Sequence, residues 1–229
     1  MNFKLTKYGQ PQIIVLQVAL IVLMLICLFV GMNFLSLLAV LFIETVIALI
    51  LISAILFFRD PERIVPVEAN LLLAPADGKI IDIETIQESS FINGRAIRIG
   101  IFMSIFDVHI NRSPCNANIH RITYVKGKHK NAANPDSGRV NESNELAMVR
   151  TDSPGDKLIV RQISGAIARR IVCEAKKGQT LTSGQKFGMV KFGSRAELYV
   201  PVSDKSQCLV KVGDKVKAGV TALVKYENS

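Results

Sequence analysis

The sequence contains no tryptophan, and aromatic residues make up only 7% of it. Its lysines and arginines are not gathered into a block. A nucleic-acid surface needs clustered cations and stacking platforms, so no nucleic-acid partner is expected. Four cysteines are present, Cys27, Cys115, Cys173 and Cys208, with neither paired nor metal-type spacing, and Cys27 sits in an apolar run. They read as reduced thiols in a cytosol-facing protein, not as a disulfide framework or a zinc site. The three histidines, His109, His120 and His129, also lack metal-motif spacing, and no metal is expected. Beyond residue 66 no stretch holds a helical period for three turns, which argues against a helical domain there.

What the chain does have is an apolar N-terminal quarter. Hydrophobic residues reach 49% with a mean hydropathy of +0.32, and the excess lies before residue 60. Ile13 to Val30 is 18 residues without a charge; Phe34 to Phe58 is 25 with one, Glu44. Each approaches the ~20 residues that cross a hydrocarbon core. A signal peptide would have a shorter apolar segment and a small-residue cleavage site. The pattern predicts a transmembrane or membrane-embedded helical hairpin turning at Gly31-Met32-Asn33. Folding back about Met32 sets Glu44 near Leu20, with Gln17 one turn away as its hydrogen-bond partner. Lys4 and Lys7 precede the hairpin, and Arg59 and Arg63 follow it. The positive-inside rule then puts both ends, and the domain beyond, on the cytoplasmic side of the cell membrane. A hairpin that dips into one leaflet and returns has the same pattern. The net charge of +9 suits anionic lipid headgroups. Pro61 and Pro66 end the helical region, and Arg59 and Arg63 are placed either to snorkel to lipid phosphates or in a solvated linker.

From residue 67 short apolar or alternating runs recur between turn residues: Gly78 to Ile86, Ala96 to Met103, Asn118 to Val125, Lys157 to Ile163, Ala166 to Cys173, Phe187 to Phe192, Ala196 to Val200, Gln207 to Val212 and Val220 to Tyr226. They predict a β-dominated domain, all-β or α+β. Residues 127–156 are the polar exception and are expected to form a long, mobile, lid-like loop. A weak repeat relates Lys177–Gly184 to Val212–Gly219, each with glycines six apart. It has the look of biotinyl/lipoyl-type half-barrels. Lys215 is not flanked as a lipoylation site would be, so the likeness concerns fold only.

Four motifs carry candidate chemistry. Gly193-Ser194 lies between two strand-like runs. Its serine could attack a substrate or its own preceding carbonyl; equally, the pair could be a bulge or tight bend. Asp77 sits in the turn Ala74-Pro75-Ala76-Asp77-Gly78, where an Asp before Gly is common turn chemistry. His109 stands on a strand-like stretch and is a candidate base, with Asp77 as its orienting acid. Arg169 and Arg170 follow a Gly-containing bend and form either a phosphate clamp or solvated charge.

In this order, behind a hairpin, these pieces resemble the short bacterial and archaeal branch of phosphatidylserine decarboxylase proenzymes. The segments that carry the likeness are Phe58-Arg59-Asp60-Pro61-Glu62-Arg63, Pro75-Ala76-Asp77-Gly78, Asp107-Val108-His109-Ile110-Asn111-Arg112, Gly165 to Ile171, and Gly188 to Arg195. The resemblance implies a cytoplasmic N-terminus (1–12), a membrane hairpin (13–58), a linker (59–66) and a decarboxylase domain (67–229). It implies self-cleavage between Gly193 and Ser194 into a β chain (1–193) and an α chain (194–229) that stay associated. Ser194 would become a covalent pyruvoyl cofactor, and phosphatidylserine in the membrane would be the substrate. His109 would be the base, held by Asp77. A homo-oligomer is compatible with this. Departures accompany the likeness. Arg112 stands where the long branch has a further histidine, Ile105 replaces a common proline, and Asn144-Glu145-Leu146 fits the family pattern only in part. His120 and His129 match no motif and are expected at the surface. Two other classes remain open: a membrane-anchored serine hydrolase using Ser194, His109 and Asp77, and a non-catalytic lipoyl-like membrane adaptor.

Overall fold

The N-terminal hairpin turns later than its apolar pattern suggests. The computed structural model describes residues 4–134, 137–152, 155–166, 170–191 and 193–227. Helix α1 (Gln10–Phe34) runs straight through Gly31-Met32-Asn33, and the chain reverses at Leu35-Ser36 before α2 (Leu37–Phe57). Local bonds account for the shift. The Asn33 amide donates to the Phe29 carbonyl at 2.7 Å, within its own helix. The Ser36 hydroxyl caps α2 by accepting from the Ala39 N–H at 3.4 Å. Gly31 lies so close to Val40 that a Cβ there would stand 2.8 Å from Cγ2. That contact fixes the register and sets Glu44 level with Cys27, so Gln17 lies about 15 Å further along α1. The expected Glu44–Gln17 hydrogen bond is therefore not made; Glu44 Oε1 is buried and accepts from no described residue. Both helices, with apolar spans of 22 (Ile13–Phe34) and 21 (Leu37–Phe57) residues, are long enough to cross a membrane. Most of their large side chains are exposed, from Phe29 to Leu56.

Met1–Pro61 forms one unit and Glu62–Ser229 a second. The strands described in the second unit are β1 (Leu71–Leu73), β2 (Gly78–Glu88), β3 (Gly94–Met103), β4 (Ile110–Arg112), β5 (Ala117–Val125), β6 (Ser143–Arg150), β7 (Lys157–Ile163), β8 (Ile171–Cys173), β9 (Thr180–Leu181), β10 (Lys186–Val190), β11 (Ser194–Pro201), β12 (Ser206–Cys208), β13 (Lys215–Val216) and β14 (Ala222–Tyr226), with one short helix, α3 (Ser137–Val140). Eight strands form an antiparallel sheet in the order β13-β2-β3-β11-β7-β6-β5-β9. Two three-stranded sheets, β4-β10-β8 and β1-β14-β12, complete the unit. The predicted β-dominated half-barrel is what forms. The two glycine-spaced repeats supply β9 and β13, the opposite edges of the large sheet. Their glycines 178, 184, 213 and 219 all have left-handed φ, between +68° and +102°. The sheet curls until these edges meet: a Cβ on Gly219 would lie 3.2 Å from Gly184 Cα.

The segment 127–156 is not one loop. Its second half contains β6, paired with β5 on one side and β7 on the other. The polar start of that strand, Ser143-Asn144-Glu145, masks Leu146 and Met148, which are fully buried in the core. The first half is bonded down. Lys128 and Glu142 exchange backbone bonds with Val140 and Lys128 at 2.7 and 2.9 Å. The Asn141 side chain accepts from the Lys130 N–H and donates to the carbonyls of Lys130 and Ser164, all within 2.9 Å. A free lid would lack such ties.

One face of the large sheet carries the apolar core: Ile99, Ile101, Met103, Ala196, Leu198 and Val200 all point into it. The other face holds buried charge. The β2–β3 register slips between Ile80 and Asp82. Without that bulge Asp82 would share the core face with Ile80. With it, Asp82 meets the fully buried Arg195, with N–O distances of 2.9 and 3.0 Å. Arg195 also pairs with Glu197 at 2.6 Å, and the Tyr199 hydroxyl donates to Glu197 at 2.7 Å. Burial, then the Glu197 charge, pushes the Tyr199 phenol far above its ordinary range. Gly100 makes the room, since a Cβ there would lie 2.7 Å from both Asp82 oxygens and 2.8 Å from Arg195. Removing one member of such a group strands the others. Glu197→Ala is expected to cost about 3–5 kcal/mol, read by urea titration of the detergent-solubilised full-length chain. A loss under about 1 kcal/mol, the range of an exposed pair, would show that the cluster is not the lock described.

Candidate active site

Several strands of the large sheet end at one place. β2 begins at Gly78, β3 ends at Met103, β11 begins at Ser194, β7 ends at Ile163 and β6 begins at Ser143. Antiparallel pairing aligns these ends: Ser194 stands opposite Met103, Arg195 opposite Ile163, and Ile163 opposite Ser143. Here two connections cross together from the large sheet to the small one. β3 passes through residues 104–109 into β4, β10 passes through 191–193 into β11, and β4 pairs with β10. His109 lies on the first connection and the Gly193–Ser194 bond on the second. The Val190 N–H donates to the His109 carbonyl at 3.3 Å.

The Asp77 turn is tied to the His109 segment by backbone. The Pro75 carbonyl accepts from the Arg112 N–H at 3.0 Å and from the Asn111 side chain at 3.4 Å. His109 is fully buried, and its Nδ1 lies 2.9 Å from the Asp107 carbonyl. A carbonyl can only accept, so Nδ1 carries the proton and Nε2 of the neutral ring is left as the basic nitrogen. The tautomer is thus held by a main-chain oxygen. The Asp77 carboxylate is bonded elsewhere: Oδ1 accepts from the Ala218 N–H at 2.7 Å, and Oδ2 pairs with Arg63 at 2.6 Å. Burial pushes its carboxyl above the ordinary range. Arg63 and the Ala218 N–H oppose that shift, and the Asp107 charge adds to it. Arg63 is therefore neither a solvated linker residue nor a headgroup ligand here; its side chain is only 11% exposed.

Ser194 is fully buried, with Oγ 3.8 Å from Met103 Sδ. Gly193 before it has φ +60°, a conformation costly for residues with a side chain. Its carbonyl oxygen lies against Gly165. A Cβ on Gly165 would fall well inside that oxygen and stand 3.3 Å from the Ala132 methyl. The carbonyl thus occupies a slot that exists because residue 165 has no side chain, and Ala132 closes it.

Some features of this place carry no sequence motif. Gln162 donates to Asn111 Oδ1 at 2.8 Å and to the Val172 carbonyl at 3.2 Å, and accepts from Asn144 at 3.0 Å. All three amide side chains are buried and hold the small sheet to the large one. His129 and His120 are both exposed, as expected, and His129 lies beside Ser164, with Nδ1 3.3 Å from Ser164 Oγ and Nε2 3.8 Å from Glu142. Lys191 is buried, and its N–H donates to the Arg170 carbonyl at 3.3 Å. Burial, then the Arg170 charge, lowers its ammonium below the ordinary range. Arg170 is exposed, and Arg169 lies outside the described residues. Arg112 donates to the Gly184 carbonyl at 3.0 Å and packs beside Gly219, where the sheet edges meet. Among the described residues no cluster of His, Cys, Asp and Glu could hold a metal ion.

The sequence matches the family model described as phosphatidylserine decarboxylase over residues 51–224. The chain belongs to that family. Among curated relatives, it is 44% identical to a phosphatidylserine decarboxylase proenzyme of Desulfotalea psychrophila over 167 residues, covering 73% of this chain and 76% of the relative. It is 41% identical to the proenzyme of Paraburkholderia xenovorans over 175 residues, or 76% and 80% of the two chains. It is 43% identical to that of Symbiobacterium thermophilum over 167 residues, with coverage of 73% and 76%. In this decarboxylase fold the segments that resemble the family, scattered from residue 75 to 195, gather at the aligned strand ends. Gly165→Ala is expected to displace the Gly193 carbonyl and slow any cleavage there by at least ~100-fold, the cost of misplacing a reacting atom by about an ångström. Time-resolved gels of newly made chain measure this; wild-type speed would show that the slot does not matter.

Proposed function

We propose that the chain cuts itself at Gly193–Ser194 and then decarboxylates phosphatidylserine to phosphatidylethanolamine. The observation that carries this reading is the Gly193 carbonyl, held at a left-handed glycine in a slot against Gly165, with Ser194 buried directly after it. A buried serine at its free pKa is a weak nucleophile and needs a base. His109, protonated at Nδ1, offers Nε2 for that purpose. The Ser194 hydroxyl gives up its proton and adds to the Gly193 carbonyl, the C–N bond breaks, and an ester joins the two residues. Removal of the Ser194 α-proton expels the Gly193 carboxylate, and hydrolysis of the resulting dehydroalanine releases ammonia and leaves a pyruvoyl group. Asp77 supplies the negative charge that favours His109 as an imidazolium.

The residues present fit such a group, since its precursor is Ser194 itself at the head of β11. Once formed, its carbonyl supplies an electron sink for the departing carboxylate. The chain's own groups do the rest. His109 returns a proton to the α-carbon after carbon dioxide leaves, a step where a placed acid typically contributes ~10²–10⁴-fold. Arg170, with Arg169 in the same motif and Lys191 beside it, offers positive charge for the lipid phosphate. The fragments 1–193 and 194–229 remain associated, and the α-helical hairpin keeps the domain at the cytoplasmic face of the cell membrane, where its substrate lies.

Ser194→Ala is expected to give one uncut chain without decarboxylase activity, and Asp77→Asn to slow cleavage by up to ~10⁴-fold. Wild-type chain should yield a 194–229 fragment with a blocked N-terminus, and borohydride with substrate should add lipid mass to that fragment. An intact chain that hydrolyses esters would instead identify a serine hydrolase. Membrane binding should survive a high-salt wash, because apolar burial is not screened. Release by salt of the full chain, or full retention after deletion of residues 1–61, would rule out the hairpin as anchor.

A further inference from the structure

We propose that Arg63 is a positioning residue for self-cleavage, fixing the charge and orientation of the Asp77 carboxylate in the uncut chain; the inference rests on the role given to Asp77 above. Residues 62–66 form an extended strap between two prolines. Glu62 and Ile64 face outward, while Arg63 and Val65 turn in. Val65 packs on Gly184, at the meeting of the sheet edges, and Arg63 reaches Asp77. The strap therefore brings its cation to the acid by geometry, not by chance encounter of flexible side chains. Asp77 has little choice of partner. It is buried, and a carboxylate taken from water needs compensation by charge or hydrogen bonds.

The groups that bear on Asp77 come from four elements. Arg63 on the strap attracts it. The Ala218 N–H before β14 donates to it. Asp107, on the connection that carries His109, repels it. Arg112 on β4 stands one residue beyond Ala218, against Gly219, with its guanidinium turned to the Gly184 carbonyl. Among the described residues Arg63 is thus the cation in direct contact with Asp77. Without Arg63 the burial cost and the Asp107 charge would act with one N–H against them. Asp77 would then hold a proton to higher pH. Cleavage, which uses the anion, would fail on the acid side of that pH and recover on the alkaline side.

The test follows cleavage of full-length chain made by cell-free translation into phosphatidylcholine vesicles, with fragments 1–193 and 194–229 quantified over time from pH 6 to 9. Arg63→Gln should move the acid limb of the cleavage profile to higher pH by at least about one unit, ~10-fold in rate at any pH on that limb, and regain most of the wild-type rate at pH 9. Arg63→Lys, which keeps the charge, should leave the acid limb within ~0.5 unit of wild type, about threefold in rate. An Arg63→Gln rate that matches wild type at every pH overturns the proposal. So does one that is lowered equally at every pH, the mark of a merely structural role. Should Arg63→Gln alone give no folded precursor, the Arg63→Gln/Asp77→Asn chain, which has no buried anion to strand, decides: a further slowing beyond Asp77→Asn means that Arg63 acts independently, and no further slowing supports the coupling. Asp77→Asn cleaving at wild-type speed would instead remove Asp77 itself from the mechanism, a separate failure.

Discussion

A slip of one residue between β3 and β11 would turn Ser194 away from Met103 and drive Arg195 into the apolar core. The site depends on that register more than on any single side chain. It is held from both faces of the sheet. On one, Ala196, Leu198 and Val200 pack against Ile101, Ile99 and Ile97. On the other, Arg195 and Glu197 fit around Gly100 and meet Asp82, which is there because of the bulge in β2. Neither face tolerates the neighbouring register, so Ser194 arrives at the strand end with its side chain inward. Gly193 then has only to present its carbonyl to the slot at Gly165.

The curled sheet explains why distant segments meet. Two similar glycine-spaced repeats supply its edge strands, and the edges touch at Gly184 and Gly219. Arg112 crosses that seam, Ala218 beside it bonds Asp77, and Val65 covers it. An arginine in place of the long branch's second histidine thus has a structural use, closing the seam. One group of buried polar side chains near Ser194, Asn144, Gln162 and Asn111, forms a mutually bonded set. Such sets constrain geometry more tightly than apolar contacts of the same size.

Much of this was legible before folding, and the rest was not for identifiable reasons. The hairpin, most of the long strands and the repeat announce themselves through hydropathy and glycine spacing, because those signals are local. Strand β6 is hidden by its polar first residues, Ser143-Asn144-Glu145, which look like a loop in one dimension although Asn144 is buried against Gln162. The hairpin turn was misplaced because Asn33 satisfies its own amide on Phe29 and lets α1 continue. Arg63 reads as a membrane-surface charge in sequence; only the third dimension reveals an acid 14 positions later at 2.6 Å. Motif residues Asp77, His109 and Ser194 could be named, but not the backbone bond from Asp107 that sets the His109 tautomer, nor the missing Cβ of Gly165.

Strand β11 lies between β3 and β7, inside the large sheet, while β13 edges that sheet and β14 is the middle strand of a smaller one. A break just before β11 would therefore leave a 194–229 peptide woven through two sheets, with no exposed route of departure short of unfolding. In the uncut chain the pairing of β11 with β3 and β7 forms within one molecule. After a break the same structure could be rebuilt only by two molecules meeting, so its recovery from denaturation would depend on concentration. Maturation would then act as a ratchet on folding, turning a reversible fold into one whose persistence is set by the rate at which it opens.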